Sequence, residues 1–283
     1  MSSDANDISS SRSCQDMLEK FFSLSDCTVI LTGGARGIGL QLLKTLLTAG
    51  ADVACLDILA GPAPDRLHDL KLHAGAEDSW VCFYKCDVTD EAAVEQTLAD
   101  VDQKATQRCR PIKGLVNCAG IQMAGDALKL AAEDFRQVID VNVTGSFLVA
   151  RQTAKVMRRN GTGGSLLLIA SMAAHAANRG INNCNYNASK AGVLQLGRSL
   201  AQEWGKDKIR VNTLSPGYLR TDMTQELLDA DPELKKLWLA GAMLGRLGEV
   251  TDLEAAVLFL LGDGSRFMTG ADLKVDGGNT AAV

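Results

Sequence analysis

Short apolar runs recur along the chain, each followed by a turn of small residues and then by a stretch with apolar positions three and four apart. The first run, CTVIL at 27–31, is apolar on both faces, as a strand covered from both sides should be. Similar runs at 52–56, 80–86, 112–116, 165–170, 209–214 and 272–275 predict further strands. Between them the helical period predicts helices from the glycine turn through Leu47, within 61–76, from Glu91, over 131–159, 187–204 and 253–261, and a helical, mobile segment over 222–247. Thr89 or Asp90 is placed to cap the helix that starts at Glu91. Regular alternation of strand and helix predicts an α/β fold. Its core is one doubly wound parallel sheet with helices on both faces and right-handed crossovers. With no repeat and no interior linker, 25–283 reads as one domain, preceded by a polar, disordered tail over 1–24.

Sheets of this kind bind ligands beyond the carboxyl ends of their strands. The chemically distinctive residues fall there: TGGARGIG at 32–39, Asp57, Asp87, NCAG at 117–120, Ser171 and Pro216. A glycine turn between strand and helix brings backbone close to a ligand, and the helix N-terminus offers free N–H groups to a phosphate. Asp57 lies about 20 residues on, where a dinucleotide fold puts a carboxylate on ribose hydroxyls. The stretch SMAAHAANRGINNCNYNASK at 171–190 carries a serine, a tyrosine and a lysine one helical turn after the tyrosine. Residues i and i+4 share a helix face, so the Lys190 ammonium would stand beside the Tyr186 phenol and lower its pKa. By itself such a pair is as readily a helix-start aromatic and a solvated charge. The surrounding motifs favour chemistry.

Composition narrows the classes. The chain has 283 residues, 46% of them hydrophobic, and a net charge of −5, which gives no electrostatic case for nucleic acid or an anionic membrane. No apolar run reaches spanning length. Cys14, Cys27, Cys55, Cys82, Cys86, Cys109, Cys118 and Cys184 form no CxxC pair, so buried free thiols in a reducing, cytoplasmic setting are expected. With three histidines and no ligand spacing, no metal site is expected.

In order, TGGARGIG, Asp87, NCAG, Asn142, Ser171, YNASK, PGYLRTDM and VDGG resemble the short-chain dehydrogenases/reductases over nearly the whole chain from Ser25 to Gly278. The resemblance implies a single-domain Rossmann fold and NAD(P)-dependent transfer of a hydride between nicotinamide and a secondary alcohol or ketone. It gives Tyr186 the general acid/base role, Lys190 its pKa partner and a hold on the nicotinamide ribose, Ser171 the substrate oxygen, and Asn142 a proton-relay water. It puts Gly33, Gly37, Ile38 and Gly39 on the pyrophosphate, Asp87 and Val88 at the adenine with Asn117, Ala119 and Gly120 closing that side, and Pro216, Gly217, Leu219 and Thr221 at the nicotinamide. It further implies a homodimer or homotetramer through the helices near 131–159 and 187–204, which carry more apolar surface than one sheet face needs.

Asp57 argues for NAD(H), since a carboxylate repels a 2′-phosphate. Arg36 argues for NADP(H); otherwise it is a solvated loop cation or a partner for Asp57. The balance favours NAD(H). In the loop before Tyr186, the pattern SMAAHAAN is similar to fungal polyol dehydrogenases and ketose reductases, with Met172, His175, Asn178 and Met223 as substrate candidates. His175 and Asn178 suit either substrate hydroxyls or a structural pin. The alternative substrate is a secondary-metabolite ketone, with Met223, Leu227, Trp238 and Met243 walling an apolar pocket. A non-catalytic dinucleotide sensor on the same fold is the reading of another class.

Overall fold

The computed structural model describes residues 17, 19, 21–73 and 79–281. In chain order its main elements are β1 (Thr28–Thr32), α1 (Gly37–Thr48), β2 (Asp52–Asp57), α2 (Pro64–His73), β3 (Val81–Lys85), α3 (Glu91–Gln107) and β4 (Ile112–Asn117). Then come α4 (Ala132–Ile139), a π-helical segment (Asp140–Gly145), α5 (Ser146–Asn160), β5 (Gly164–Ile169), α6 (Cys184–Trp204) and β6 (Ile209–Pro216). The chain closes with β7 (Leu219–Arg220), α7 (Asp222–Ala230), α8 (Pro232–Gly241), β8 (Gly248–Glu249), α9 (Glu254–Leu261) and β9 (Asp272–Val275).

Seven strands form one sheet in the order β3-β2-β1-β4-β5-β6-β9, and every pair is parallel. The strand order reverses beside β1, so the loops after β1 and β4 part there and leave a crevice. Two apolar layers cover the sheet. One packs α3, α5 and α6 around Ile30, Leu115 and Leu168; the other packs α1 and α9 around Val29, Val53 and Leu167. The doubly wound α/β expectation holds, and Asp90 caps α3 by accepting from the Ala93 amide at 3.0 Å.

Four features differ from the sequence reading. The helix expected over 131–159 is interrupted by a π-helical turn at Asp140–Gly145, after which the Ser146 hydroxyl donates to the Asn142 carbonyl at 2.6 Å. The predicted tail lies mostly outside the described residues, but its end does not: Leu24 is buried and its amide donates to the Ala49 carbonyl at 2.9 Å. The 222–247 segment is two helices, packed through Leu228, Leu234, Trp238 and Leu247. The helices expected to carry surplus apolar surface do not: of their large apolar residues only Phe135 is exposed, whereas Leu128 and Phe267 stand almost wholly in solvent. Among the described residues every cysteine is free, and burial pushes the Cys27 and Cys55 thiols up to about 12.

The crevice is set by the close approach of two turns. Gly33 has φ +72°, and a Cβ there would stand 2.9 Å from both the amide nitrogen and Cα of Ala119. Gly33→Ala should therefore cost about 2 kcal/mol or more of stability, from the left-handed backbone and the displaced 119 turn. Urea unfolding checks this, and a midpoint equal to the parent's would refute the account.

Candidate active site

The site is assembled by strand ends tied together with buried hydrogen bonds. Thr32 Oγ1, at the end of β1, donates to Asn117 Oδ1 at 3.0 Å and accepts from the amides of Cys118 and Ala119. Asn117 Nδ2 donates to Ser146 Oγ at 2.7 Å, and that hydroxyl holds the Asn142 carbonyl. Asn142, 1% exposed, clasps Ile121 with both amide atoms and donates to Ser189 Oγ at 2.9 Å. Ser189 Oγ in turn donates to the Tyr186 carbonyl at 2.7 Å. One polar run thus fixes the glycine turn, the 117–121 turn, the π-helical segment and the first turn of α6 relative to one another.

That run frames four side chains. Ser171, just past β5, stands half-buried; its hydroxyl accepts from the Ala173 amide at 3.1 Å and is close enough to the Tyr186 phenol to act on its pKa. Tyr186 is half-buried on α6. Lys190, 5% exposed, donates from Nζ to the Ile169 carbonyl at 2.8 Å and lies 5.7 Å from the centroid of the Tyr186 ring. A Cβ on Gly120 would stand 3.2 Å from Asn142 Oδ1 and 3.5 Å from Lys190 Nζ, so this corner is closed tightly.

The electrostatics correct one expectation. Desolvation pushes the Tyr186 phenol above its ordinary value, and the Ser171 hydrogen bond pulls the other way. Burial pushes Lys190 down to about 8. Its ammonium is turned onto a backbone carbonyl, so in this state desolvation outweighs any help it gives the phenolate.

Around this centre the other predicted residues take these places. Asp57 ends β2 and accepts from the amides of Ala35 and Leu59, each at 3.0 Å, so its carboxylate lies against the glycine turn. Arg36 is exposed, and no ion pair joins it to Asp57. Gly37, at φ +57°, opens onto free space, since a Cβ there would meet nothing within 4 Å. The N-terminus of α1 has no side-chain cap, which leaves its amides for an anion. Ile38 is half-buried, while Gly39 seats α1 against the Gly33 carbonyl. Asp87 is exposed and accepts from Thr89. The Val88 side chain is buried against Gly145, so only its backbone can face an adenine. Pro216 ends β6, Gly217 packs on Asp276, Leu219 is buried, and Thr221 caps α7 by accepting from the Thr224 amide. A turn with open backbone, an acid at the β2 end and a buried lysine beside Gly120 together fit a dinucleotide.

The substrate candidates divide. Met172 is buried beside Ser171 and lines a cavity of about 240 Å³ with Tyr218, Arg179, Asn279 and Thr280. His175 pairs through Nε2 with Asp272 Oδ2 at 2.8 Å, which ties the loop to β9 and fits the structural pin of its two readings. Asn178 has a buried Oδ1 without a partner. The Met223 side chain lies outside the described residues. Trp238 is buried in the α7–α8 core, stacked 3.9 Å from Tyr218 and donating from Nε1 to the Arg179 carbonyl at 3.1 Å, so it walls no pocket by itself. Residues 33–280 match the family model described as Enoyl-(Acyl carrier protein) reductase, also called adh_short_C2.

The chain belongs to the short-chain dehydrogenase/reductase family. It is similar to a protein named short chain dehydrogenases/reductase notP' from Aspergillus versicolor, 45% identical over 93% of this chain and 90% of that one. It is also similar to a D-arabinitol 2-dehydrogenase [ribulose-forming] from Candida tropicalis, 34% identical over 95% and 98%. A solved structure, of a putative 2-deoxy-d-gluconate 3-dehydrogenase from Agrobacterium tumefaciens with bound NADP, superimposes with a TM-score of 0.80 at 32% identity, covering 92% of this chain and 99% of that one. The chain is accordingly an NAD(P)-dependent oxidoreductase of the alcohol dehydrogenase/ketoreductase type.

Sequence reasoning did not single out Thr32, Ser146 and Ser189, which carry the polar run. Ser146 stands one helical turn after Asn142 and Ser189 directly before Lys190, but serine in a helix usually faces water and gives no signal.

If Tyr186 is the group that must lose its proton for alcohol oxidation, its raised pKa keeps it protonated at neutral pH. Oxidation kcat/KM should then climb about tenfold per pH unit from pH 6 and bend over above about pH 8 as Lys190 loses its charge. A profile flat across that range, measured at saturating oxidised cofactor, would contradict this.

Proposed function

We propose that this enzyme interconverts a polyol and its ketose, with NAD(H) as the favoured cofactor, NADP(H) as the alternative, and Tyr186 as the proton-transfer group. The juxtaposition of the Ser171 and Tyr186 hydroxyls beside buried Lys190 carries this reading. The bound nicotinamide supplies or accepts the hydride. Gly33, Gly37, Ile38 and Gly39 would cradle its pyrophosphate, Asp57 the adenosine ribose, the Asp87, Val88, Asn117, Ala119 and Gly120 backbone the adenine side, and Pro216, Gly217, Leu219 and Thr221 the nicotinamide end.

The chain's own groups handle the substrate oxygen. In reduction the Tyr186 hydroxyl passes its proton to the oxygen as negative charge grows on it, and Ser171 donates a hydrogen bond to the same atom. Both donors are fixed in advance, so little reorganisation accompanies the step. Lys190 supplies positive charge from behind the phenol, and Asn142 holds the neighbouring backbone at Ile121.

The likeness to the arabinitol dehydrogenase and the asparagine-rich loop before Tyr186 support the polyol substrate. A second reading, reduction of a bulkier apolar ketone, is favoured by the exposed Leu227, Met243 and Leu244 in and after α7–α8. Self-association as a homodimer or homotetramer is supported by exposed Phe267 and Leu128, and a cytoplasmic setting by the free thiols.

Tyr186→Phe should lower turnover about a thousandfold or more while leaving dinucleotide binding, followed by fluorescence, within about twofold. Retained turnover would remove the assignment. A panel of polyols, ketoses and aromatic ketones decides the substrate class, and activity on the aromatic ketones alone would reverse it. With Asp57 against the ribose site, NADH should give at least about tenfold higher kcat/KM than NADPH. A preference for NADPH would overturn the cofactor reading.

A further inference from the structure

Ser171 owes its place to a very short element. It is the N-cap of a single-turn 3₁₀ helix, Met172–Ala174, and its hydroxyl accepts from the Ala173 amide at 3.1 Å. A turn of three residues closes too few hydrogen bonds to hold itself, so its orientation is set by what its two ends are fastened to. The first end is fastened to the sheet: the Ala170 amide, directly before Ser171, donates to the Leu214 carbonyl of β6 at 2.8 Å. The second end is His175, the C-cap, whose amide donates to the Met172 carbonyl at 2.9 Å. Met172 and Ala173 are buried between the two ends, but apolar contact has no direction and does not by itself fix how the turn is rotated.

The His175 side chain reaches the same part of the sheet as the first end. Its Nε2 lies 2.8 Å from Asp272 Oδ2 and 3.4 Å from Ser215 Oγ. Asp272 opens β9 and is itself held in place, since the Thr213 and Ser215 hydroxyls of β6 both donate to its Oδ1, at 2.6 and 2.9 Å. One carboxylate oxygen is thus occupied by the neighbouring strand and the other is left for the imidazole. A carboxylate only accepts, so Nε2 carries the proton of this contact, in the neutral ring as in the charged one. Thr213 and Ser215 are buried and the Asp272 side chain is 9% exposed, which sets this clasp apart from a surface ion pair. β6 pairs with β5, the strand that Ser171 follows, so both ends of the turn are referred to one rigid neighbour.

We infer that His175 is a positioning residue for the reaction: clasped to Asp272, it sets the rotation of the 172–174 turn and with it the direction of the Ser171 hydroxyl. The inference deepens the proposed function, resting on Ser171 and Tyr186 as the groups that meet the substrate oxygen and not on the choice between a ketose and another ketone. His175 acts through Ser171 and needs no contact with the substrate. A donor directed at developing charge works only while it is aimed, and a displacement of about 1 Å made far from the chemistry can cost about a hundredfold in rate.

The test uses the full-length enzyme, saturating dinucleotide and whichever compound of the polyol, ketose and aromatic ketone panel the parent reduces fastest. In His175→Ala the single-turnover rate of reduction should fall about tenfold, while KM for the ketone and dinucleotide affinity stay within about twofold of the parent values. His175→Phe, which keeps a ring but no N–H, stands in if the alanine variant does not fold and should show the same loss. His175→Gln, with a neutral N–H donor of similar reach, should restore most of the rate. In a Ser171→Ala background, adding His175→Ala should cost less than about twofold, because the group it aims is already gone.

Three outcomes would overturn the inference. An undiminished rate in both His175→Ala and His175→Phe would mean that burial of Met172 and Ala173 holds the turn unaided. A full loss repeated on top of Ser171→Ala would mean that His175 braces the loop at large. A Ser171→Ala enzyme as fast as the parent, or a parent inactive on the whole panel, would remove the proton-transfer reading and the inference together, and those two measurements alone identify that case.

Discussion

The site depends on one run of buried hydrogen bonds, from Thr32 through Asn117, Ser146, Asn142 and Ser189 to the backbone of Tyr186. Parallel strands deliver side chains to the same edge, but they do not fix how the loops beyond that edge sit against each other. Here each loop ends on a side chain that satisfies the next, and every member of the run is buried or half-buried. Unpaired polar groups at such depth are costly, so no link can slip without exposing another. The glycine turn at one end and the catalytic helix at the other are held in one register although they are about 150 residues apart in sequence. The π-helical segment lies within the same run, with Asn142 inside it and Ser146 directly after it.

The electrostatics of Tyr186 and Lys190 follow from where that frame puts them. Burial works against the charged form of each, raising the phenol and lowering the amine. The two groups hold a proton almost equally well in water, and the shifts part them, so the amine gives up its proton before the phenol does. The phenol therefore stays protonated at neutral pH, the form that can donate to a substrate oxygen. Ser171 opposes the burial effect on the phenol, and it does so from beside the place where a substrate oxygen would be held.

Much of this was legible in the sequence because the determinants are local. Runs such as TVILT and SLLLI have no wet face and can only be central strands; the glycines of 33–39, Asp57 and Asn117 are strand-end residues whose positions follow once the strands are placed. Tyr186 and Lys190 announce their relation by spacing. What was not legible depends on which neighbour wins a hydrogen bond. His175 was open between substrate and anchor, and its partner, the carboxylate of Asp272, is 97 residues away. The direction of the Tyr186 shift was misread because spacing reports proximity and not desolvation. The π-helical turn in the 131–159 helix left no mark in the apolar period, and the apolar helix faces proved to be covered by their own sheet.

The loop between Ser171 and Tyr186 is pinned at two points with different destinations. His175 ties it to β9 through Asp272, which also receives the Thr213 and Ser215 hydroxyls. Four residues on, the Arg179 amide donates to the Tyr218 hydroxyl while its carbonyl accepts from Trp238 of α8, whose indole lies flat on the Tyr218 ring at 3.9 Å. The first pin is to the sheet, a rigid body; the second is to the helical pair that follows β6. Any displacement of α7–α8 must break the stack or carry Arg179 with it, and the half of the loop between Arg179 and Tyr186 would move while the half from Ser171 to His175 would not. Tyr186 is spared because the polar run holds its end of the helix. The arrangement ties the two halves of the loop to different bodies, and keeps the proton-transfer centre with the one the polar run holds.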